Sequence, residues 1–549
     1  MSDLAHPAVP LLIAAALAGV APRGLRRLLL PAAGLAALGL AWSVPDGGGV
    51  LVTLMGQPLS PLRVDALGRA FALVFALVTA LGGVYALDVE RRRFHVAAAM
   101  AAAAGQAIVL AGDWITFYVA WETLAVASFA LIADGGTARA RGAAVRYLLV
   151  HVAGGACLLA GIVWHRVADG EAALDALTTA PPGLLVLLGF VVNAAVPPLH
   201  AWLTDAYPES APGGGVLLSA FATKAAVYAL ARVFPGADVL VWAGVIMALW
   251  GVVFAFIEDD VRKLLGYHIV SQVGYMVAGV GLGTPLAVNG AVAHAFCHIL
   301  YKGLLFMATG AVIHATGRRR LSGLGGLARA MPATFVFYMV GALSISGAPL
   351  LNGFVSKSLV LSAAHGTPAV EWLLTLASVG TFLSVGLKLP FLAFGPAPAA
   401  APLVRAVPAG MQAAMAGASA LCVLLGVAPA LLYSLLPAPV GYEPYTAAHV
   451  VETLELLVGT AIGFLLLARS LERAATVTLD LDRVYAAVGR WVRGRVAVAA
   501  AAVARAMESL VEWAVSTAPV APRRPSPPVG YAVLLSLAAL ALLIAAAGR

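Results

Sequence analysis

The chain reads as a succession of long apolar runs, most of at least about 18 residues, separated by short segments where arginine, aspartate, glycine and proline concentrate. A run of that length matches, as a helix, a hydrocarbon core of roughly 30 Å. Helices are expected because a spanning segment must satisfy its own backbone hydrogen bonds, and the alternating strands of about ten residues that build a membrane barrel are absent. The pattern predicts spans at about 8–22, 26–43, 68–88, 95–111, 114–133, 144–164, 182–199, 215–234, 240–257, 264–282, 289–315, 332–362, 371–395, 411–436, 450–469 and 529–547, about sixteen in all. The first run has no basic segment ahead of it, only Asp3 and His6, so it is expected to be a retained span and not a signal peptide.

Composition removes the soluble alternative. Of 549 residues 62% are hydrophobic and only 11% charged, against about 25% charged in an ordinary soluble domain. The net charge of +8 does not point to nucleic acid, because the arginines sit in alternate loops: Arg23, Arg26 and Arg27; Arg91 to Arg93; Arg139, Arg141 and Arg146; Arg262 with Lys263; Arg318 to Arg320 with Arg329. The intervening loops hold one or two, such as Arg63, Arg166 and Arg232. By the positive-inside rule the first set is cytoplasmic, which places a multi-pass protein in the inner (cytoplasmic) membrane with both termini outside. Trp114 and Trp202, near span ends, are expected to be interface anchors. The three cysteines are widely spaced inside apolar runs, with neither a CxxC nor a CxxCH motif, so buried free thiols are expected and no cofactor is implied.

Two spans contain breakers: Pro197 and Pro198 in "NAAVPPLHAWL", and Gly347, Pro349 and Gly353 in "SISGAPLLNGFVSK". Broken helices at membrane depth are tolerated where they line protein or water, and in transporters they occupy equivalent places in inverted repeats. Each break is followed by a span bearing a lysine, Lys224 or Lys388. The expected organisation is N-terminal helices over 1–94, a first repeat over 95–234, a second over 235–395, further helices over 396–469, an amphipathic cytoplasmic segment with a Pro-rich linker over 470–528, and a last helix over 529–549.

Ionisable residues inside the spans are the candidate chemistry. In "AHAFCHILYKGLLF", His294, His298 and Lys302 lie four residues apart, so they drift only about 40° per step and climb roughly 12 Å along one helix face. Glu122, Lys224, Lys357, Lys388 and His268 also fall in or beside spans. A charge at the bilayer centre costs about 2.5–3.5 kcal/mol on insertion scales, so such groups normally face a bundle interior or a hydrated cavity. Burial moves carboxylic acids and amines toward neutral pH from opposite sides, which suits them to exchange protons, with histidine between them. No constellation of a catalytic or metal site accompanies them.

"VRKLLGYHIVSQVGYMVAGVGLG", "AVAHAFCHILYKGLLFMATGAVIHATG", "PPLHAWLTDAYPES" and "GDWITFYVAWETLAVASFALI" resemble the antiporter-like membrane subunits shared by respiratory complex I, Mrp-type cation/proton antiporters and membrane-bound hydrogenases, with the D-type Mrp proteins most similar. The resemblance implies an all-α polytopic fold of fourteen core helices containing two inverted five-helix repeats, each with a broken helix. It implies proton translocation through Glu122, Lys224, His294, His298, Lys302 and Lys357, with Lys388 and His268 as further candidates. It also implies partner membrane subunits, with protons and Na⁺ as the ions moved. One position departs: where the family usually has a lysine before "PLHAWL", this chain has Asn193, which carries no proton at physiological pH. Three outcomes are open for the glutamate that loses its neighbour: Lys224 replaces the lysine, the first half conducts differently, or that half is structural. The favoured outcome is the first. The same module serves antiport and redox-driven pumping, so the leading expectation is a subunit of a cation/proton antiporter with no active site of its own. The alternative is a pumping subunit of a complex I-like or hydrogenase-type enzyme.

Overall fold

The computed structural model describes residues 6–54, 57–169, 173–396 and 403–467. The amphipathic segment expected over 470–528 and the last span at 529–547 lie outside the described residues. In chain order the elements are α1 (Ala8–Val20), α2 (Arg23–Ser43), β1 (Gly49–Leu54), β2 (Gln57–Arg63), α3 (Ala66–Tyr85), α4 (Arg92–Leu110), α5 (Trp114–Ala133), α6 (Ala138–Asp169), α7 (Pro181–Asn193), α8 (Ala201–Ala206), α9 (Pro212–Leu218), α10 (Ala222–Val233), α11 (Asp238–Ile257), α12 (Val261–Leu282), α13 (Pro285–Thr316), α14 (Leu327–Ala330), α15 (Pro332–Ser346), α16 (Asn352–Ala364), α17 (Pro368–Thr381), a π-helical turn (Phe382–Lys388), α18 (Leu389–Ala393), α19 (Ala409–Val427), α20 (Pro429–Tyr433) and α21 (Ala447–Leu467).

Eleven helical segments among the described residues are long and apolar enough to cross a membrane. The short α1, the polar α12 and the broken pairs α7–α8 and α15–α16 complete the spans expected before residue 470. α12 carries Arg262, Lys263, His268, Ser271 and Gln272, too polar a set for lipid, and it is buried along nearly its whole length. α13 is likewise interior, packed by α3, α9, α12, α15, α16 and α19. α11 and α12 lie against each other at backbone distance. A Cβ added at Gly244, Gly251, Gly274 or Gly281 would collide with the main chain of the other helix, the small-residue packing that membrane helices use in place of hydrophobic exclusion.

Helix starts follow local chemistry. Asp65 accepts from the Gly68 amide (2.8 Å), Asp113 from those of Ile115 and Thr116 (both 2.9 Å), and Asp260 from that of Arg262 (3.0 Å), each meeting an otherwise orphaned amide of a first turn. On the arginine-rich side, Arg146 holds Asp205 through two bonds (2.7 and 2.9 Å), Arg319 holds Glu209 (2.8 Å) and Asp260 (2.5 Å), and the buried Arg262 donates to the carbonyls of Pro208 and Ser210. On the other side Arg232 clamps Asp65 (2.5 and 2.7 Å).

One element was not foreseen and two local expectations need correction. The loop before α3 contains an antiparallel hairpin, β1–β2, whose Ser60 amide donates to Asp113 (2.8 Å); its apolar residues are interrupted by Pro58 and Pro61, which hid it. The span expected at 215–234 is broken between α9 and α10 without a proline. Trp114 and Trp202 are not interface anchors: they are 0% and 4% exposed, and the Trp202 indole donates to the Val192 carbonyl (2.9 Å) at the end of α7, which the Ala195 amide also reaches (3.1 Å).

Candidate functional site

His294, His298 and Lys302 are each 0% exposed on the unbroken α13. The two imidazoles lie 6.3 Å apart between centroids. His294 is held on both sides: Nδ1 meets Ser356 Oγ at 3.1 Å and Nε2 meets Gln272 Oε1 at 3.2 Å. The amide oxygen can only accept, so in this arrangement Nε2 carries the hydrogen. His298 differs. Neither of its ring nitrogens has a hydrogen-bond partner among the described protein residues, and neither does the Lys302 ammonium one turn further on. An unpaired buried polar atom costs about 1–3 kcal/mol, so this stretch of α13 is poorly explained as packing.

The other lysines of the spans, Lys224 and Lys357 buried and Lys388 half-buried, share a different arrangement. Lys224 donates to the Ser219 carbonyl (2.9 Å) at the end of α9 and to Thr223 Oγ1 (3.1 Å). Lys357 donates to the Ile345 carbonyl (2.9 Å) at the end of α15. Lys388 donates to the carbonyls of Phe256 (2.5 Å) and Glu258 (2.8 Å) at the end of α11. Each ammonium meets the carbonyls and the negative dipole end of a helix. Lysine and helix end therefore hold each other, and at Lys224 and Lys357 the helix break frees the carbonyl inside the span that receives the charge, whereas Lys388 takes the natural end of α11.

His268, on α12, meets Ser384 Oγ at 2.7 Å in the π-helical turn, and Gln272 donates to Thr381 Oγ1 at 3.3 Å. Lys357 also lies over the Tyr275 ring, 5.1 Å from its centroid, a cation–π contact within the usual 6 Å. Groups from α12, α13, α16 and α17 thus converge around one polar core.

The first half is arranged more openly. Glu122 on α5 is half-buried with Oε1 unpartnered. It rests against Gly155 of α6, where a Cβ would collide with its carboxylate. Its other side faces a cleft of about 720 Å³ between α4 and α5, lined by Arg93, Val96, Met100, Tyr118 and Val126. Asn193, at the end of α7, is 3% exposed and its Oδ1 has no partner among the described residues. The favoured outcome for Glu122 does not hold in this arrangement: Lys224 gives its hydrogen bonds to Ser219 and Thr223 and forms no ion pair with Glu122. Asp205 and Glu209 are taken up by Arg146 and Arg319.

Residues 111–384 match the family described as NADH:quinone oxidoreductase/Mrp antiporter, transmembrane. An uncharacterized protein of Methanocaldococcus jannaschii is 32% identical over 331 residues, covering 56% of this chain and 68% of that protein. The chain belongs to this antiporter-like family. It is a multi-pass integral membrane protein. A probable K⁺/H⁺ antiporter subunit of Rhizobium meliloti is 32% identical over 406 residues, which cover 67% of this chain but only 40% of the relative. The chain spans less than two thirds of the length of several curated relatives it matches. Among solved structures, a chain of the Mrp complex from Dietzia superposes with a TM-score of 0.71 at 25% identity, covering 84% of this chain and 98% of that one.

In this member of the family, sequence reasoning missed Gln272, Ser356, Ser384 and the carbonyl acceptors at Ser219 and Ile345. The first and third had a signal. His268, Gln272 and Tyr275 follow one α12 face at helical spacing, and Ser378, Thr381, Ser384 and Lys388 do the same on the segment that packs against it. Backbone carbonyls carry no sequence signal at all.

Proposed function

We propose that this chain is the proton-translocating membrane subunit of a multi-subunit cation/proton antiporter, moving protons against a monovalent cation such as Na⁺. The observation that carries the reading is the unpartnered pair His298 and Lys302, one turn apart at the centre of the bundle. Lys224 and Lys357, each anchored on a helix end, supply the neighbouring stations. A relay needs groups whose hydrogen-bond partners change during turnover, and His298 and Lys302 are built that way. Protons pass along α13 between the two broken regions, His294 being oriented by Gln272 and Ser356. Glu122, open to the α4–α5 cleft, is the lateral station of the first half, and Asn193 orients it through solvent without carrying charge. The repeats run over 95–234 and 235–395, the arginine-rich loops face the cytoplasm, and both termini lie outside. The membrane is the inner one, and the partners are the other membrane subunits of the complex.

The test is ion flux in inside-out vesicles carrying the full chain with its partners, under imposed pH and Na⁺ or K⁺ gradients and without NADH. Gradient-driven exchange is expected, and Lys302→Ala should abolish it while the chain still inserts and assembles. Wild-type flux in that variant would overturn the relay. Flux appearing only with electron transfer would move the chain to the redox-driven branch of the family.

A further inference from the structure

The α17 segment carries chemistry that the α13 ladder does not use. Ser378, Thr381, Ser384 and Lys388 recur every three or four residues down one face, and three of the four are buried in an otherwise apolar span. Their partners lie on α12: Tyr275 meets Ser378 (2.9 Å), Gln272 meets Thr381 (3.3 Å) and His268 meets Ser384 (2.7 Å). Around Ser384 the helix is not α but π, over Phe382–Lys388, a rare geometry that is frequently found at functional sites. We infer that this face of α17 and its π turn line a second proton lane, running from His268 through Ser384 to Lys388 and ending on the arginine-rich side at the α11–α12 loop. It rests on the reading of the chain as a proton translocator and adds the route by which the second half reaches that surface.

The hydrogen bonds fix how a proton moves there. The Ser384 hydroxyl donates to the Gly380 carbonyl (2.7 Å), so its oxygen accepts from His268 Nε2–H, and the buried His268 Nδ1 has no partner among the described residues. A proton arriving at Nδ1 lets the Nε2 proton leave for Ser384 Oγ while the hydroxyl turns from the Gly380 carbonyl and passes its own proton toward Lys388, whose amine has first released a proton to the surface and so can accept it. One proton enters and one leaves, and the ring returns by turning over. Lys388 stands four residues further on, its ammonium on the α11 carbonyls, next to Glu258, whose carboxylate lies 3.5 Å from Lys263. The end of the lane is thus a charged cluster at the surface.

Capping α11 is the competing role for Lys388, and arginine separates the two. A guanidinium caps the same carbonyls but does not release its proton. In the vesicle assay, Ser384→Ala and Lys388→Arg should each lower proton flux about 10²-fold or more, the scale of a lost proton-transfer group, while Ser384→Thr restores it. Chain content of the membrane serves as the assembly control, and if Lys388→Arg fails to accumulate, Lys388→Gln, which keeps donors for the carbonyls, takes its place with the same expected loss. Lys302→Ala is measured in parallel. Wild-type flux in Ser384→Ala or in the Lys388 variant, with Lys302→Ala inactive, overturns the lane and leaves the proposed function standing. Wild-type flux in Lys302→Ala as well overturns the function itself.

Discussion

Replacing Lys302 by methionine should make the protein more stable and inactive at once. The amino group is 0% exposed and has no hydrogen-bond partner among the described protein residues, so its burial costs about 1–3 kcal/mol if neutral and about 2.5–3.5 kcal/mol on insertion scales if charged. Methionine is similarly long and unbranched and adapts to the same space. Lys302→Met therefore removes a cost of about 1–3 kcal/mol and creates no new orphan. Lys357→Met is the control. It strands the Ile345 carbonyl that Lys357 now holds at 2.9 Å, a loss of about 1–3 kcal/mol that offsets whatever is gained by removing the amine. Thermal unfolding of the purified complex, followed by tryptophan fluorescence at one scan rate because such unfolding is commonly irreversible, should place Lys302→Met above wild type and Lys357→Met at or below it. Proton flux should be lost in the first. A midpoint for Lys302→Met that falls as far as that of Lys357→Met would show that Lys302 makes a stabilising contact, and the argument from its isolation would collapse.

Gly155→Ala places a methyl where the Glu122 carboxylate now rests; flux should fall several-fold with assembly unchanged, and an unaltered flux would remove Glu122 from the path. On the side away from the arginine-rich loops, burial pushes the Asp65 carboxyl up but the Arg232 ion pair and the Gly68 amide outweigh it, so its pKa lies below the ordinary carboxylate value. A depressed folded pKa adds stability above the unfolded value of about 3.9 and loses it as pH falls through the folded value. Asp65→Asn, which keeps the helix cap, should thus cost about 0.5–1 kcal/mol at pH 7, discounted because Asp65 is partly exposed, and nothing once the wild-type carboxyl is protonated; a cost equal at both pH values would refute the ion-pair account.

The spans, their number before residue 470, the two proline-marked breaks and the ladder of His294, His298 and Lys302 were legible in the sequence, because each depends on a local property: length of an apolar run, a residue that cannot continue a helix, or a four-residue repeat. The α9–α10 break and the π turn were not, since Gly213–Gly215 sit inside α9 and Pro390 lies past the turn, so neither marks the place, and they persist because Lys224, Ser384 and Lys388 find partners there. Which lysines are held and which is isolated was equally invisible. Lys224, Lys302, Lys357 and Lys388 look alike in the chain. Three of them meet carbonyls on the ends of other helical segments, and an exposed helix end is a feature of backbone geometry that any residue type can supply. Glu122 shows the same division: its place in a span was set by the chain, but whether Lys224 would reach it depended on how α5, α6 and α10 pack, and packing gave Lys224 to Ser219. Hydrophobic periodicity determines what is buried; only the tertiary arrangement determines what each buried charge touches, because its partner lies on a segment far along the chain or on a carbonyl that no side chain announces.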